Sequence, residues 1–157
     1  LLMNKILFII SILLIANGSF AAGSSGDNNK TDLYKSGKKL VNKAKKLEKK
    51  DKIDKALKLY AKASDKLLKA YEKDKKNPDI LNYLGYSLRK TGEFKKAENY
   101  YLEGLKLDAS HLGINEYLGE LYVQTDRIDL ATERLSVLKG CNCEEYDELK
   151  ELIEKNK

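Results

Sequence analysis

The sequence is poor in the residues that build metal centres and common catalytic sites. Its 157 residues include one histidine, one methionine, two cysteines and no tryptophan. So few ligands make an incomplete metal site. The sequence also has no glycine-rich phosphate loop and no serine, histidine and aspartate set typical of a hydrolase. We therefore expect no enzyme activity, catalytic residue, metal or cofactor, and no small-molecule substrate is evident.

A long hydrophobic run is missing too. The apolar stretch 6–15 is interrupted by Ser11. Roughly ten residues at ~1.5 Å each cannot cross a hydrocarbon core of ~30 Å. The stretch follows a lysine and precedes small residues, as in a secretory signal. Ser19 and Ala21 predict cleavage after Ala21, so we expect a signal peptide at 1–21 and a periplasmic mature chain. A retained anchor is the alternative.

Arginine is scarce, lysine is abundant, and the charge is unevenly distributed. Residues 30–76 contain 18 lysines and 7 acidic residues, a formal charge of +11, whereas residues 77–157 carry −5. A basic half can mark an acidic partner, a nucleic acid, or an anionic membrane or cell-wall surface. Because an exported chain does not meet nucleic acid, we expect none as a partner. The other interpretation of the lysines is a solvated helix face.

The single proline leaves room for helices, and their pattern repeats. Within residues 78–111, apolar and small residues follow the i, i+3, i+4, i+7 spacing of one helix face. A turn then separates a second apolar helix face from the first. The pair Leu84-Gly85 recurs 34 residues later as Leu118-Gly119. A period of this length is typical of stacked helix pairs.

The same pattern predicts the organisation of the rest of the chain. We expect an all-α solenoid of about three helix pairs with a polar-backed C-terminal capping helix. The second helix of the first pair runs on by about two turns before Pro78. The predicted segments are a flexible linker at 22–32 and a folded domain at 33–157, with repeats at 37–77, 78–111 and 112–140 and the capping helix at 144–155.

Residues 78–111 resemble a tetratricopeptide repeat (TPR) over their whole length. Residues 112–140 also show a good resemblance to a TPR, and residues 37–77 show a loose one. The run HLGINEYLGELYVQ, followed by CNCEEYDELKELI, is similar to a group of small exported proteobacterial TPR proteins of unassigned activity. The resemblance implies a scaffold whose first helices line a concave groove. Such a groove takes up a peptide or a helix from another protein.

The resemblance also implies which side chains face the groove. The carboxylate-binding set of some TPR proteins is not reproduced, because Gly113 and Tyr117 occupy slots that need basic residues. The remaining mixture suits an extended polar peptide. Exposed helix positions without a binding role are the alternative interpretation. The predicted partner-binding residues are Lys45, Asn82, Tyr83, Tyr86, Arg89, Lys90, Glu116, Tyr117, Glu120 and Gln124.

Cys141 and Cys143 are the only cysteines and stand between the last repeat and the capping helix. In an oxidising compartment, two nearby cysteines pair or are kept reduced for a purpose. A disulfide between them would close a very small ring, whose entropic benefit is small. The alternatives are a structural clip, a thiol-disulfide redox function, and intermolecular or free thiols.

Overall fold

The computed structural model describes residues 25–156, with side chains from Thr31 onward. The predicted signal peptide lies outside the described residues. The described range contains seven helices and no strands, which confirms the predicted all-α class with three helix pairs and a terminal cap. None of these helices has the length and hydrophobicity needed to span a membrane. The helices are α1 Ser25–Glu48, α2 Ile53–Lys73, α3 Pro78–Lys90, α4 Phe94–Leu107, α5 Leu112–Gln124, α6 Ile128–Leu138 and α7 Glu144–Lys155.

The predicted linker at 22–32 differs from the structure at residues 25–32, which form the first two turns of α1. We expected a flexible segment because these residues have little apolar surface to bury. Once the following turns are fixed by packing, however, each added residue gains a backbone hydrogen bond at little further cost. A polar stretch can therefore extend a helix that is anchored elsewhere.

Small residues set the close approach between neighbouring helices. A Cβ atom on Gly85 would lie 2.5 Å from the Tyr101 ring, so α3 and α4 pack with no space between them. A Cβ atom on Gly104 would lie 2.5 Å from the end of Ile114, which brings α4 against the next pair. These contacts place glycine inside helices, where it is otherwise unfavourable by ~1 kcal/mol relative to alanine.

The core runs without interruption from α1 to α7. Its fully buried side chains include Tyr60 in the first pair, Tyr101 in the second, Leu118 in the third and Leu149 in the cap. Each helix pair therefore buries one face against its own partner and another against the next pair. This stacking arranges α1, α3 and α5 in sequence along one side of the molecule.

Candidate partner-binding groove

A cleft lies along the first helices of the three pairs and reaches α7. Its volume is about 490 Å³. Helix α1 forms one wall, α3 and α5 form the floor, and α7 contributes to the opposite wall. The lining residues are Asn42, Lys45, Lys46, Glu48, Lys49, Tyr86, Tyr117, Glu120 and Glu148.

Lys45 reaches from α1 across the cleft to α5. Its Nζ donates a hydrogen bond of 2.9 Å to the hydroxyl of Tyr117. The same ammonium lies 4.6 Å from the ring centroid of Tyr86 and 5.0 Å from that of Tyr117, within cation–π range. The two rings are themselves 4.6 Å apart. The floor of the cleft is thus an aromatic surface that already holds a cation.

Charged side chains at the groove floor also join neighbouring pairs. Arg89 of α3 binds Glu120 and donates a hydrogen bond of 2.8 Å to Gln124, both on α5. Between α1 and α3, Lys90 lies 2.7 Å from Glu48. Burial would cost these charges several kcal/mol if they were unpaired. Their contacts therefore hold adjacent repeats in register.

Three glutamates converge beside the aromatic floor, where α5 meets α7. Carboxylate oxygens of Glu116, Glu120 and Glu148 all lie within 4.8 Å of one another. Burial, and after it the neighbouring glutamates Glu148, Glu120 and Glu145, together raise the pKa of Glu116 to about 9. Glu116 therefore holds a proton at neutral pH. The sequence suggested only surface helix charges here, because it does not show that α7 folds back onto α5.

His111 directly precedes α5, in the turn between the second and third pairs. Its Nδ1 accepts a hydrogen bond from the backbone amide of Ile114 at 3.2 Å. The other ring nitrogen, Nε2, lies 3.3 Å from a carboxylate oxygen of Asp79 on the preceding pair. The histidine thus caps one helix and links it to another.

A comparison with protein families finds one match. The family described as Tetratricopeptide repeat matches residues 78–111, which are α3, α4 and the turns that flank them. Residues 78–111 are thus similar to a TPR. No curated protein matches the sequence.

Several solved structures have a similar fold. A TPR protein from Parabacteroides merdae is 19% identical with a TM-score of 0.55; the match covers 78% of this chain and 60% of that protein. The second TPR domain of human RPAP3, in complex with the HSP70 peptide SGPTIEEVD, is 15% identical with a TM-score of 0.53, covering 80% and 98%. The Yersinia enterocolitica type III secretion translocator chaperone SycD is 18% identical with a TM-score of 0.51, covering 78% and 89%.

The predicted TPR groove residues divide into two groups by exposure. Asn82, Tyr86, Arg89 and Glu116 are buried, with 6%, 5%, 5% and 3% of their surface exposed. We predicted all four as partner-binding residues. Three of them lie on α3, between α1 and α5, which cover their side chains, and Glu116 of α5 lies beside Glu148 of α7. The more accessible predicted residues are Lys45, Tyr83, Lys90, Tyr117, Glu120 and Gln124.

Asn82 lies toward the other end of the groove, beside the start of α5. Its Oδ1 has no hydrogen-bond partner among the described residues. A Cβ atom on Gly113 would lie 2.7 Å from the Asn82 amide nitrogen, so glycine allows α5 to approach α3 there. The Asn82 side chain therefore fills the space that a side chain at position 113 would need.

Several cleft residues were missed because the sequence analysis considered only regular TPR slots. Asn42, Lys46 and Lys49 belong to α1, whose repeat is the most degenerate. Glu148 lies on α7, which we considered only as a cap. Glu145 and Glu148 stand three residues apart on one side of that helix, and this spacing was the available signal.

Cys141 and Cys143 lie in contact in the connection between α6 and α7. Their Cα atoms are 5.2 Å apart and their sulfurs are joined. Asn142 between them adopts a positive φ of 51°, which folds the connection tightly. Cys141 also packs against the hydrophobic core. The pair therefore lies at the point from which α7 starts.

Proposed function

We propose that the chain is an exported interaction scaffold that holds a segment of another protein in the cleft between α1 and α7. The observation that carries this proposal is the cleft itself, because its two walls differ in charge. Lys45, Lys46 and Lys49 lie on the α1 side, and Glu120 and Glu148 lie on the other side. A segment with polar groups on both edges would find complementary charges on each wall.

The comparisons support the same kind of function. The human RPAP3 domain is recorded with a bound peptide, and SycD is described as a translocator chaperone. Both share the fold of this chain. The described side chains that line the cleft are lysines, tyrosines, glutamates and one asparagine, which offer charges, hydrogen bonds and aromatic faces to a bound segment.

The cleft would bind its partner mainly through side chains that are accessible. Tyr117, with its aromatic face and hydroxyl, would lie at the centre. Lys45 now occupies this position, so a bound segment would displace its ammonium or contact its stem. Arg89 and Glu116 would act indirectly, because their burial suits them to position α5 rather than to touch a ligand.

Crosslinking in the native cell, followed by capture of the chain and its bound proteins, tests the groove. The variant Lys49→Glu with Glu148→Lys reverses one exposed charge on each wall and disturbs no described ion pair. We expect the amount of partner protein captured with this variant to fall at least tenfold. The matched control is Lys62→Glu with Asp129→Lys, two exposed positions on α2 and α6 outside the cleft. Equal capture by the groove variant and the unaltered chain would overturn the proposal.

Export is proposed from the sequence pattern of residues 1–21. N-terminal sequencing of the chain recovered from a periplasmic fraction should give Ala22 as the first residue. In that compartment Cys141 and Cys143 should remain joined, and a thiol-alkylating reagent should label them only after reduction. Recovery of the chain in the cytoplasm with its N-terminal segment intact would contradict this assignment.

A further inference from the structure

The exposed face of α1 corresponds to a face that the later pairs bury. The first repeat can be aligned with the second by matching Ala56 and Tyr60 to Ala97 and Tyr101. In this alignment Lys39 is equivalent to Ile80, and Lys43 is equivalent to Leu84. Ile80 and Leu84 are buried. In α5 the equivalent Ile114 packs against Gly104 of the preceding pair. The α1 lysines therefore stand where a preceding helix pair would stack.

Four lysines make this face strongly basic. We call it the α1 end face, and its members, all exposed, are Lys35, Lys39, Lys43 and Lys46. Between Asp32 and Glu48 the helix has no acidic residue to offset them. Like charges spaced by three and four residues weaken a helix. No described ion pair involves these four lysines, whereas Lys90 and Arg89 in the groove are paired within the chain.

The opposite end of the solenoid carries the complementary charge. Helix α7 packs Leu149 and Ile153 inward. Its outward side forms the α7 end face, whose exposed members are Glu144, Asp147, Glu151 and Glu154. Lys155 offsets one of them through its ion pair with Glu151. The outward side of α7 nevertheless remains acidic.

The two end faces also match in length. Lys35 and Lys46 are eleven residues apart, and Glu144 and Glu154 are ten residues apart. At ~1.5 Å per residue, these rows are about 16 Å and 15 Å long. Two helices laid side by side could thus bring each lysine near a carboxylate along the whole row.

We propose that the α1 end face of one copy binds the α7 end face of a second copy, so that the chains stack head to tail. Such a contact uses two different surfaces and leaves one of each free, so further copies can add. The proposal does not depend on partner binding in the groove, because seven of the eight residues lie outside the cleft and only Lys46 borders both surfaces. Charge contacts between exposed faces are screened by salt, with a Debye length of ~10 Å at 0.1 M.

A membrane surface fits the α1 end face less well. The large apolar side chains that are exposed in the described range lie outside α1 and α7, at Ile53, Leu57, Leu68, Leu102, Leu107, Leu112 and Val137. Binding at a membrane interface normally combines basic residues with an inserted apolar face. The acidic face of α7 has the charge and length that the lysine row requires, so a second copy is the better occupant.

Sedimentation velocity tests whether copies stack. The sample is the chain as it is isolated from the cells that produce it, after any processing in those cells. In 20 mM salt the weight-average mass should rise with concentration to at least twice the mass of the monomer. In 0.5 M salt it should return to the monomer value. A chain that stays monomeric at low salt up to millimolar concentration overturns the proposal. So does lysine-dependent binding to anionic vesicles by a chain that remains monomeric.

Charge-reversal variants identify the two faces. Lys35→Glu, Lys39→Glu and Lys43→Glu form the first variant, and Glu144→Lys, Asp147→Lys and Glu151→Lys form the second. Each variant alone should remain monomeric at low salt, and an equal mixture of the two should associate again. Restored association requires that the faces meet each other, which a general change in net charge would not explain. Association of either variant alone contradicts the assignment.

A third variant controls for net charge. Lys55→Glu, Lys58→Glu and Lys62→Glu remove the same charge from exposed positions on α2, outside both end faces. This variant should associate like the unaltered chain, and loss of its association would overturn the proposal. Circular dichroism spectra of all three variants should match that of the unaltered chain, which excludes unfolding as the cause of any change in mass.

Discussion

At the residue scale, polar side chains in the groove hold the repeats together as well as forming its surface. Arg89 is buried against Glu120 and Gln124, and Lys90 pairs with Glu48, which also accepts a hydrogen bond of 2.7 Å from the Tyr60 hydroxyl. The sequence identified Arg89, Lys90, Glu120 and Gln124 as groove slots. It could not distinguish a residue that contacts a partner from one that is covered by the next helix.

Glu116 should make the stability of the fold depend on pH. Burial raises its pKa to about 9, so the folded chain retains a proton that the unfolded chain loses near pH 4 to 5. Between about pH 5 and pH 9 the folded state binds more protons. The free energy of unfolding therefore falls as the pH rises, by at most ~1.4 kcal/mol per pH unit. Glu116→Gln keeps the shape without the titration and should remove this slope.

Urea unfolding at pH 5, 7 and 9 measures the effect of Glu116. The stabilising effect of Glu116→Gln should be largest at pH 9 and smallest at pH 5. Glu154→Gln on α7 is the control, because its carboxylate is exposed and should leave the slope unchanged. The same slope in Glu116→Gln and in the unaltered chain would show that Glu116 is not the group responsible.

At the element scale, glycine contacts decide how closely the two helices of a pair approach. Gly85→Ala would place a methyl group 2.5 Å from the buried Tyr101 ring. Overpacking of this kind costs about 1–3 kcal/mol. That cost should exceed the ~1 kcal/mol that alanine gains over glycine in a helix. We expect the variant to melt at a lower temperature than the unaltered chain.

Asn99→Ala is the companion measurement, because Asn99 is exposed on α4 and reports helix propensity without a packing change. It should raise the melting temperature slightly. If Gly85→Ala also raised the melting temperature, α3 and α4 could not be packed so closely at Gly85 that a methyl group is excluded.

Helix pairing could be predicted from the sequence because its apolar spacing, glycines and 34-residue period all point to the same fold. The cap at Glu144–Lys155 has the bounds that the periodicity indicated. Two features could not be predicted. The start of α1 at Ser25 depends on extension from a packed region, and the Glu116 cluster depends on the angle at which α7 returns to α5. Both depend on tertiary contacts that no local pattern encodes.

At the scale of the whole molecule, charge and stacking run along the same axis. The basic first pair and the acidic cap stand at opposite ends of one continuous core, with the mixed-charge cleft between them. One short solenoid thus presents two kinds of surface. The cleft suits a narrow segment, and the ends suit another folded unit.

The length of α1 and α2 has a consequence for the order of folding. At 24 and 21 residues, against 11 to 14 for the helices of the later pairs, they form the longest helix pair. A four-residue connection separates them, against three residues in each later pair, so the first pair differs in helix length and not in a shorter connection. Contacts between elements that are close in sequence form fastest. This hairpin should therefore be the folding nucleus, on which later pairs add in chain order.

Stopped-flow kinetics can locate that nucleus. Ala63→Gly in the middle of α2 should slow folding and leave the unfolding rate almost unchanged, whereas Leu149→Ala in α7 should mainly speed unfolding. Both residues are fully buried, so both changes should be large enough to measure. With no tryptophan in the sequence, far-ultraviolet circular dichroism is the suitable probe. The reverse pattern would mean that the cap, not the long hairpin, starts the assembly of the solenoid.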